Sequence, residues 1–124
     1  MKALHTKSAP AAIGPYSQAI EVNGFVFASG QIPIDPASGE LVEGGIKEQT
    51  RQALTNAAHI MAEAGIDLSH VVKTTVFLAD MADFAAMNEV YSTFFKEPFP
   101  ARSAVAVKAL PKGALVEVEC VAVK

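Results

Sequence analysis

The residues best suited to chemistry in this sequence are one arginine and two glutamates near its carboxyl-terminal end. Arg102 lies in the segment PFPARSAVAV, and the only other arginine among the ten basic residues is Arg51. A guanidinium presents a planar fork of donors that matches a carboxylate, whereas a lysine ammonium is a mobile point charge. Glu117 and Glu119 follow in the segment VEVEC. An arginine beside a proton-handling glutamate would make a site for a small carboxylate ligand.

A hairpin that pairs Ala109 with Ala114 would bring these three side chains onto one face of a sheet, because alternate residues of a strand share a face. The pairs that follow from this register are Arg102 with Val121, Ala104 with Glu119, and Ala106 with Glu117. A cross-strand ion pair, worth under about 1 kcal/mol when exposed, explains the same pattern. The pattern alone does not distinguish a binding site from an ion pair. It also does not show which of the two glutamates would act.

The elements that must position these residues follow the order ββ(β)αβαββ. Asn23-Gly24, between two β-rich runs, is a strong signal for a type I′ hairpin turn. Changes in hydrophobic period predict strands at 18–22, 25–29, 40–42, 71–78, 102–109 and 115–123. They predict one helix from Ile46 to the stop signal at Gly65, and a second from Asp80 to Phe95 with Asp80 as N-cap.

This order predicts an α+β domain in which two helices cover one face of the sheet. The residues expected beneath the helices are Val105, Val107, Val116, Val118 and Cys120. The residues expected on the opposite face are Ala104, Ala106, Leu115, Val121 and Val123. Since this second set is too apolar for a solvated surface, we expect association between subunits to cover it.

Composition narrows the classes of function. The 124 residues fit one domain, residues 1–124, and a net charge of −3 without basic clusters makes nucleic acid an unfavourable partner. The lone Cys120 and three scattered histidines offer no metal-ligand spacing, so we expect neither a metal nor a cofactor. No segment has the roughly 18 apolar residues of a membrane span. We therefore expect a soluble, cytoplasmic protein that does not associate with membranes.

Four long segments together resemble the RidA/YjgF family of reactive-intermediate deaminases. They are APAAIGPYSQAI, ASGQIPIDPASGE, VVKTTVFLADMADFAAMNEVY and FPARSAVAVKALPKGALVEVECVAV, which span most of the chain. The resemblance implies a chorismate-mutase-like two-layer fold with a mixed sheet and two helices on one face. It also implies a homotrimer whose clefts lie between subunits.

The same resemblance implies a function. The deaminases of this family hydrolyse 2-imino and 2-enamino acids, such as 2-aminoacrylate and 2-aminocrotonate, to 2-keto acids and ammonia without a cofactor. Arg102, the arginine of the FPARS motif, would bind the substrate carboxylate. Glu117, the first glutamate of EVEC, would hold the attacking water. The residues expected to line the substrate cleft are Tyr16, Ser29, Gly30 and Asn88.

One position departs from the family pattern. Many deaminase members have cysteine two residues after the motif arginine, where this chain has Ala104. If the family uses only the backbone there to hold the imine, Ala104 can still serve in substrate binding. The departure leaves open a non-catalytic module that binds small keto acids. An RNA-cleaving translation inhibitor is a further alternative, which the acidic charge balance disfavours.

Overall fold

The computed structural model describes all 124 residues. The strands are β1 (Lys2–Leu4), β2 (Ala19–Val22), β3 (Phe25–Gln31), β4 (Ile34–Asp35), β5 (Glu40–Leu41), β6 (Val71–Leu78), β7 (Ala101–Ala106) and β8 (Val116–Val123). The helices are α1 (Ile46–Glu63) and α2 (Phe84–Tyr91), with short 3₁₀ turns at Leu68–His70, Met81–Asp83 and Pro111–Gly113. The predicted order of elements is confirmed, and β1 and β4 are additional strands that the sequence patterns did not predict.

Six strands form one mixed sheet in the order β1-β2-β3-β8-β6-β7, while β4 and β5 form a separate two-stranded ribbon. Every pair in the large sheet is antiparallel except β6 with β7. Helix α1 packs against α2, β8 and β3. The α+β prediction with two helices on one face is therefore confirmed. No helix is both long enough and apolar enough to cross a membrane.

The local signals predicted the first hairpin and the long helix well. Asn23 and Gly24 have φ values of 51° and 79°, the left-handed pair that a type I′ turn needs between β2 and β3. Helix α1 ends just before Gly65, which has a φ of 78°. The second helix is shorter than predicted, because Asp80 caps the 3₁₀ turn that precedes α2 by accepting the Ala82 N–H at 2.9 Å.

The predicted hairpin between the last two strands is wrong. Strand β6 lies between β7 and β8, parallel to the first and antiparallel to the second. Arg102 pairs with Thr74 of β6, and Thr74 in turn pairs with Cys120 of β8. The chain passes from β6 through α2 to β7 in a crossover, which is how parallel neighbours are connected. Arg102 therefore does not lie opposite Val121.

Because β7 pairs with β6 instead of β8, its side chains lie on the faces opposite to those predicted. Ala104 aligns with the core residue Val76 and packs against the core, although it was expected on the opposite face. Val105, expected in the core, is 45% exposed on that opposite face. Ala106 pairs with Leu78 and so lies on the helix-covered side, although it was expected on the opposite face. Val107, expected in the core, lies after the end of β7. On β8 the prediction is confirmed: the core residues are Val116, Val118 and Cys120.

The face of the sheet away from the helices has an exposed apolar patch at β3 and the end of β8. Phe25 and Phe27 stack there with ring centroids 5.9 Å apart, and both are more than 40% exposed. Val123 aligns with Phe25, and Val121 aligns with Phe27. Large contiguous apolar surfaces of this kind are uncommon on monomeric proteins. The prediction of a second apolar face is thus confirmed for Val121 and Val123.

A buried amide fixes the segment that follows β3. The Asn56 side chain of α1 donates to the carbonyl oxygens of Ile32 at 3.2 Å and Ile34 at 2.9 Å, and its own carbonyl accepts from Gln52. Asn56 is completely buried. Its amide therefore satisfies the Ile34 carbonyl and adds a second donor to the Ile32 carbonyl, which also accepts from the Ile34 N–H at 2.8 Å. It ties the β3–β4 connection to the helix layer.

We expect Asn56→Ala to lower the free energy of unfolding by about 1–3 kcal/mol, because it leaves the buried Ile34 carbonyl without this donor. Chemical denaturation followed by circular dichroism measures this change. Thr55→Ala is the matched control, since the Thr55 hydroxyl donates only to the Arg51 carbonyl within its own helix. An Asn56→Ala protein as stable as the Thr55→Ala protein would contradict the role given to this amide.

Candidate functional site

The predicted site residues fall into two groups in the structure. The first, the arginine site, consists of Arg102 with Phe84, Asn88 and Tyr91 of α2. The second, the glutamate cavity, is a cavity of about 760 Å³ lined by Tyr16, Ser29, Gly30 and Glu117, among others. The two groups lie on opposite sides of the sheet.

In the arginine site, α2 supplies every side chain that contacts the guanidinium. Arg102 Nη1 donates to Asn88 Oδ1 at 2.6 Å. The guanidinium carbon lies 4.7 Å from the Tyr91 ring centroid and 5.5 Å from that of Phe84, within the range of cation–π attraction. Because Phe84, Asn88 and Tyr91 are spaced i, i+4 and i+7, one face of α2 presents all three.

Arg102 has no acidic partner within its chain. The three ion pairs of the structure join Lys47 to Glu89, Lys124 to Glu21, and His70 to Asp67. The alternative of a structural ion pair for Arg102 is therefore wrong within this chain. A half-buried cation whose one polar side-chain partner is a neutral amide remains able to bind an anion, and its fork geometry suits a carboxylate.

The Tyr91 ring is itself fixed from beneath. Its hydroxyl lies 2.7 Å from Thr74 Oγ1, and Thr74 is the residue that pairs with Arg102 across β6 and β7. Burial raises the pKa of the Tyr91 phenol, which keeps the ring neutral. Strand pairing and the hydroxyl contact thus hold the tyrosine directly against the guanidinium.

In the glutamate cavity, a β-bulge places Ser29 and Gly30 beside Glu117. Ala28 pairs with Cys120 and Gln31 pairs with Val118, so that two residues of β3 oppose the single Glu119 of β8. Ser29 Oγ donates to the Ser17 carbonyl at 2.6 Å, which ties the bulge to the segment preceding β2. The bulge therefore joins parts of the cavity that are distant in sequence.

Gly30 leaves the space that Glu117 occupies. A Cβ atom at position 30 would lie 2.7 Å from Glu117 Oε1 and 2.9 Å from its Cδ, which is closer than such contacts allow. The glutamate side chain thus lies across the glycine backbone. Glycine is needed here for close approach, because Gly30 does not have a positive φ.

The environment of Glu117 alters its acidity. Burial raises the pKa of its carboxyl above the ordinary glutamate value, and the nearby negative charge of Glu119 raises it further. Lys112 also lines the cavity, but it does not offset these two effects. A carboxyl with a raised pKa is suited to taking up and returning a proton near neutral pH.

The structure does not place Arg102 beside the glutamates, as the predicted register had done. Two strand spacings of about 4.8 Å separate β7 from β8, so Arg102 and Glu117 are at least about 10 Å apart across the sheet. Glu117 aligns with Phe77, on the face opposite to Thr74 and Arg102. Within one chain, a small ligand held by Arg102 does not reach Glu117.

The remaining predicted residues divide between the two groups. Asn88 and Ala104 lie on the arginine side of the sheet, and Asn88 uses its carbonyl oxygen on Arg102. Tyr16, Ser29 and Gly30 share the cavity with Glu117, whereas the predicted cleft residue Asn88 does not. No cluster of three or more His, Cys, Asp or Glu side chains is arranged to hold a metal ion.

Sequence reasoning missed Phe84, Tyr91 and Thr74. The i, i+4, i+7 spacing of Phe84, Asn88 and Tyr91 was a usable signal, since it places two aromatic rings on the same helix face as the predicted site residue Asn88. Thr74 gave no such signal, because its relation to Arg102 depends on the pairing of β6 with β7.

Comparison with known proteins gives consistent matches along the whole chain. A family model described as endoribonuclease L-PSP matches residues 6–124. The chain is 53% identical over 123 residues to the 2-iminobutanoate/2-iminopropanoate deaminase of Mus musculus, covering 99% of this chain and 91% of the mouse protein.

Solved structures agree with these matches. RidA from the Antarctic bacterium Psychrobacter sp. superposes with a TM-score of 0.96 at 46% identity, covering 100% of both chains. E. coli TdcF with bound serine superposes with a TM-score of 0.95 at 42% identity, covering 100% of this chain and 99% of that one. The fold described above, including the inserted β6, is thus similar to experimentally determined structures.

We expect Glu119→Gln to lower the pKa of the Glu117 carboxyl, because it removes the neighbouring negative charge and leaves burial unchanged. Titration of the Glu117 side-chain carboxyl by carbon-detected NMR measures this directly. Glu63→Gln, an exposed substitution on α1, is the matched control and leaves the Glu117 pKa unaltered. An unchanged or higher pKa in the Glu119→Gln protein would show that Glu119 does not act on this carboxyl.

Proposed function

The chain belongs to the RidA/YjgF family, and from that premise we propose that it is a 2-iminobutanoate/2-iminopropanoate deaminase, which hydrolyses 2-imino and 2-enamino acids to 2-keto acids and ammonia. Relatives more than 50% identical over nearly the whole chain carry that name in mouse, cattle and human. The structural observation that carries the proposal is the half-buried Arg102, which has a neutral partner and no acid. Every substrate of this class has a carboxylate that such a guanidinium can bind.

The complete site lies between two subunits of a homotrimer. Arg102 and Glu117 are on opposite faces of the sheet and two strands apart, so a single chain does not apply both to one small molecule. A second copy that covers the apolar face of the sheet brings its Arg102 to the glutamate cavity of the first. The exposed Phe25, Phe27 and Val105 support this arrangement, because association removes them from water.

In this site Arg102 binds the substrate and Glu117 transfers protons. Arg102 binds the substrate carboxylate with two parallel hydrogen bonds, which places the imine carbon next to Glu117. Glu117 orients a water molecule and accepts its proton as the oxygen adds to C2. The carboxyl returns this proton to the imine nitrogen, which becomes an amine. The new hydroxyl on C2 then gives its proton to Glu117, which passes it to the amine, so that the C2–N bond breaks and ammonia leaves as the carbonyl forms. The raised pKa of Glu117 suits these proton transfers.

Gly30, Ser29 and Tyr16 complete the cavity around the reacting carbon. Gly30 allows Glu117 to lie close to the β3 backbone, and the bulge brings Ser29 and Gly30 to the wall of the cavity. Ala104 aligns with Val76 beneath the arginine site and contributes no side-chain donor. Hydrolysis through Arg102 and Glu117 requires no thiol at position 104.

We expect the wild-type protein to accelerate release of ammonia from 2-iminobutanoate generated by a coupled dehydratase. Arg102→Ala lowers kcat/KM about 10- to 100-fold, since a hydrogen-bonded ionic contact contributes about 1.5–3 kcal/mol. Arg51→Ala is the matched control, because Arg51 is exposed on α1 and is the one other arginine of the chain.

Two outcomes of this assay would contradict the proposal. Wild-type protein that binds 2-oxobutanoate without accelerating imine hydrolysis would be a keto-acid-binding module. An Arg102→Ala protein with full activity would show that Arg102 does not take part in the site. The family model is described as an endoribonuclease, so a single-stranded RNA substrate is incubated in parallel, and we expect no cleavage by protein freed of ribonucleases.

Subunit mixing tests whether the site is shared. We expect Arg102→Ala and Glu117→Gln proteins to be impaired separately and to regain activity when unfolded together and refolded. In randomly mixed trimers about a quarter of the sites combine an intact Arg102 with an intact Glu117 from different subunits. Native mass spectrometry confirms that mixed trimers have formed.

The control for subunit mixing is each variant refolded alone, which stays impaired. Mixed trimers that regain no activity would contradict a site shared between subunits. A wild-type protein that is monomeric by light scattering would contradict it as well.

A further inference from the structure

The surroundings of Arg102 are neutral on every side that the structure defines. Asn88 supplies an amide oxygen at 2.6 Å, and the Tyr91 and Phe84 rings lie within 5.5 Å of the guanidinium carbon. Glu89, the next residue of α2, is instead paired with Lys47 at 3.0 Å. The one carboxylate adjacent in sequence to Asn88 is thus engaged with a cation of α1.

We propose that Asn88 and Tyr91 are positioning residues for Arg102, and that position 88 requires a neutral hydrogen-bond acceptor so that the guanidinium stays available to the substrate carboxylate. This inference rests on the proposed function, because it takes Arg102 as the carboxylate-binding group. It differs from the role expected for Asn88 from family resemblance, which was to line the cleft toward the substrate.

The hydrogen-bond inventory explains why an amide suits position 88. A guanidinium has five N–H donors, and a bidentate carboxylate uses two of them. Asn88 accepts from Nη1 and so restrains the rotation of the fork without neutralising its charge. An aspartate at the same distance would accept the same hydrogen bond, but its negative charge would also compete with the substrate for the cation.

Tyr91 restrains the plane of the fork. Its ring lies 4.7 Å from the guanidinium carbon, and its hydroxyl is held 2.7 Å from the buried Thr74. Tyr91 also stacks on Phe95, with ring centroids 4.6 Å apart. The ring is therefore fixed by the core on one side and presents a face to Arg102 on the other, which is the role expected of a positioning residue.

The deciding variant is Asn88→Asp. We expect it to raise the KM for 2-iminobutanoate at least tenfold, to leave kcat within about threefold, and to weaken binding of 2-oxobutanoate in calorimetry by a similar factor. Loss confined to KM is expected, because Arg102 contacts the carboxylate equally in the ground and transition states. Ala62→Asp adds the same charge on the exposed side of α1 and is the control.

Variants of Tyr91 separate positioning from general structure. Tyr91→Phe keeps the aromatic face but removes the hydroxyl contact with Thr74, and we expect a rise in KM that is smaller than that of Tyr91→Leu. Tyr91→Leu removes the aromatic face, and we expect a KM about tenfold higher. Thermal unfolding is measured for each protein, so that the KM of Tyr91→Leu is compared at a temperature where the protein is folded.

These experiments distinguish failure of the positioning role from failure of the proposed function. If Arg102→Ala keeps its activity and its affinity for 2-oxobutanoate, the proposed carboxylate site itself is wrong. If Arg102→Ala is impaired while Asn88→Asp keeps the wild-type KM and affinity, the requirement for a neutral partner is overturned and the proposed function stands. If Tyr91→Leu and Tyr91→Phe have equal KM values, Tyr91 does not position Arg102. Should Asn88→Asp fail to fold, Asn88→Ala provides the test, with a KM at least threefold higher expected and a wild-type KM overturning the proposal.

Discussion

The parallel pairing of β6 with β7 decides which way Arg102 points. Because Arg102 aligns with Thr74, it shares a face with the helix layer and lies against α2. A β7 strand paired directly with β8 would have turned the same side chain to the uncovered face. The neutral partners of Arg102, its half-buried position and its separation from Glu117 all follow from this one pairing.

The glutamate cavity depends on a different irregularity of the same sheet. One extra residue in β3, opposite Glu119, allows Ala28 and Gln31 both to point into the core while Gly30 lies under Glu117. A regular strand would put one of those two side chains on the other face. The bulge therefore keeps the core intact and still creates the close approach that the Glu117 carboxyl requires.

Sequence patterns identified the elements that depend on neighbours along the chain. The Asn23-Gly24 turn, helix α1 and strand β6 follow from short-range signals and were predicted at nearly their observed positions. The pairing of β7 was missed because its small residues alternate Ala and Val without favouring either face, and because a crossover connection depends on distant parts of the chain. Residue type and pattern drew attention to Arg102 and the two glutamates, while the choice of Glu117 and the residues that line the cleft came from family resemblance. The division of the site between two faces came only from the structure.

The site proposed between subunits would account for the exposed apolar patch on the second face of the sheet. One face packs against helices and holds Arg102 at its edge, while the other carries Glu117 next to an uncovered apolar surface. Burial of the second face between subunits would lower the polarity around Glu117 still further, and desolvation raises a carboxyl pKa. In the proposed trimer, an incoming Arg102 would act in the opposite direction, because a cation favours the ionised carboxylate. The substrate carboxylate would offset that cation on binding. The acidity of Glu117 would then be coupled to occupation of the site, and substrate binding would make Glu117 a stronger base.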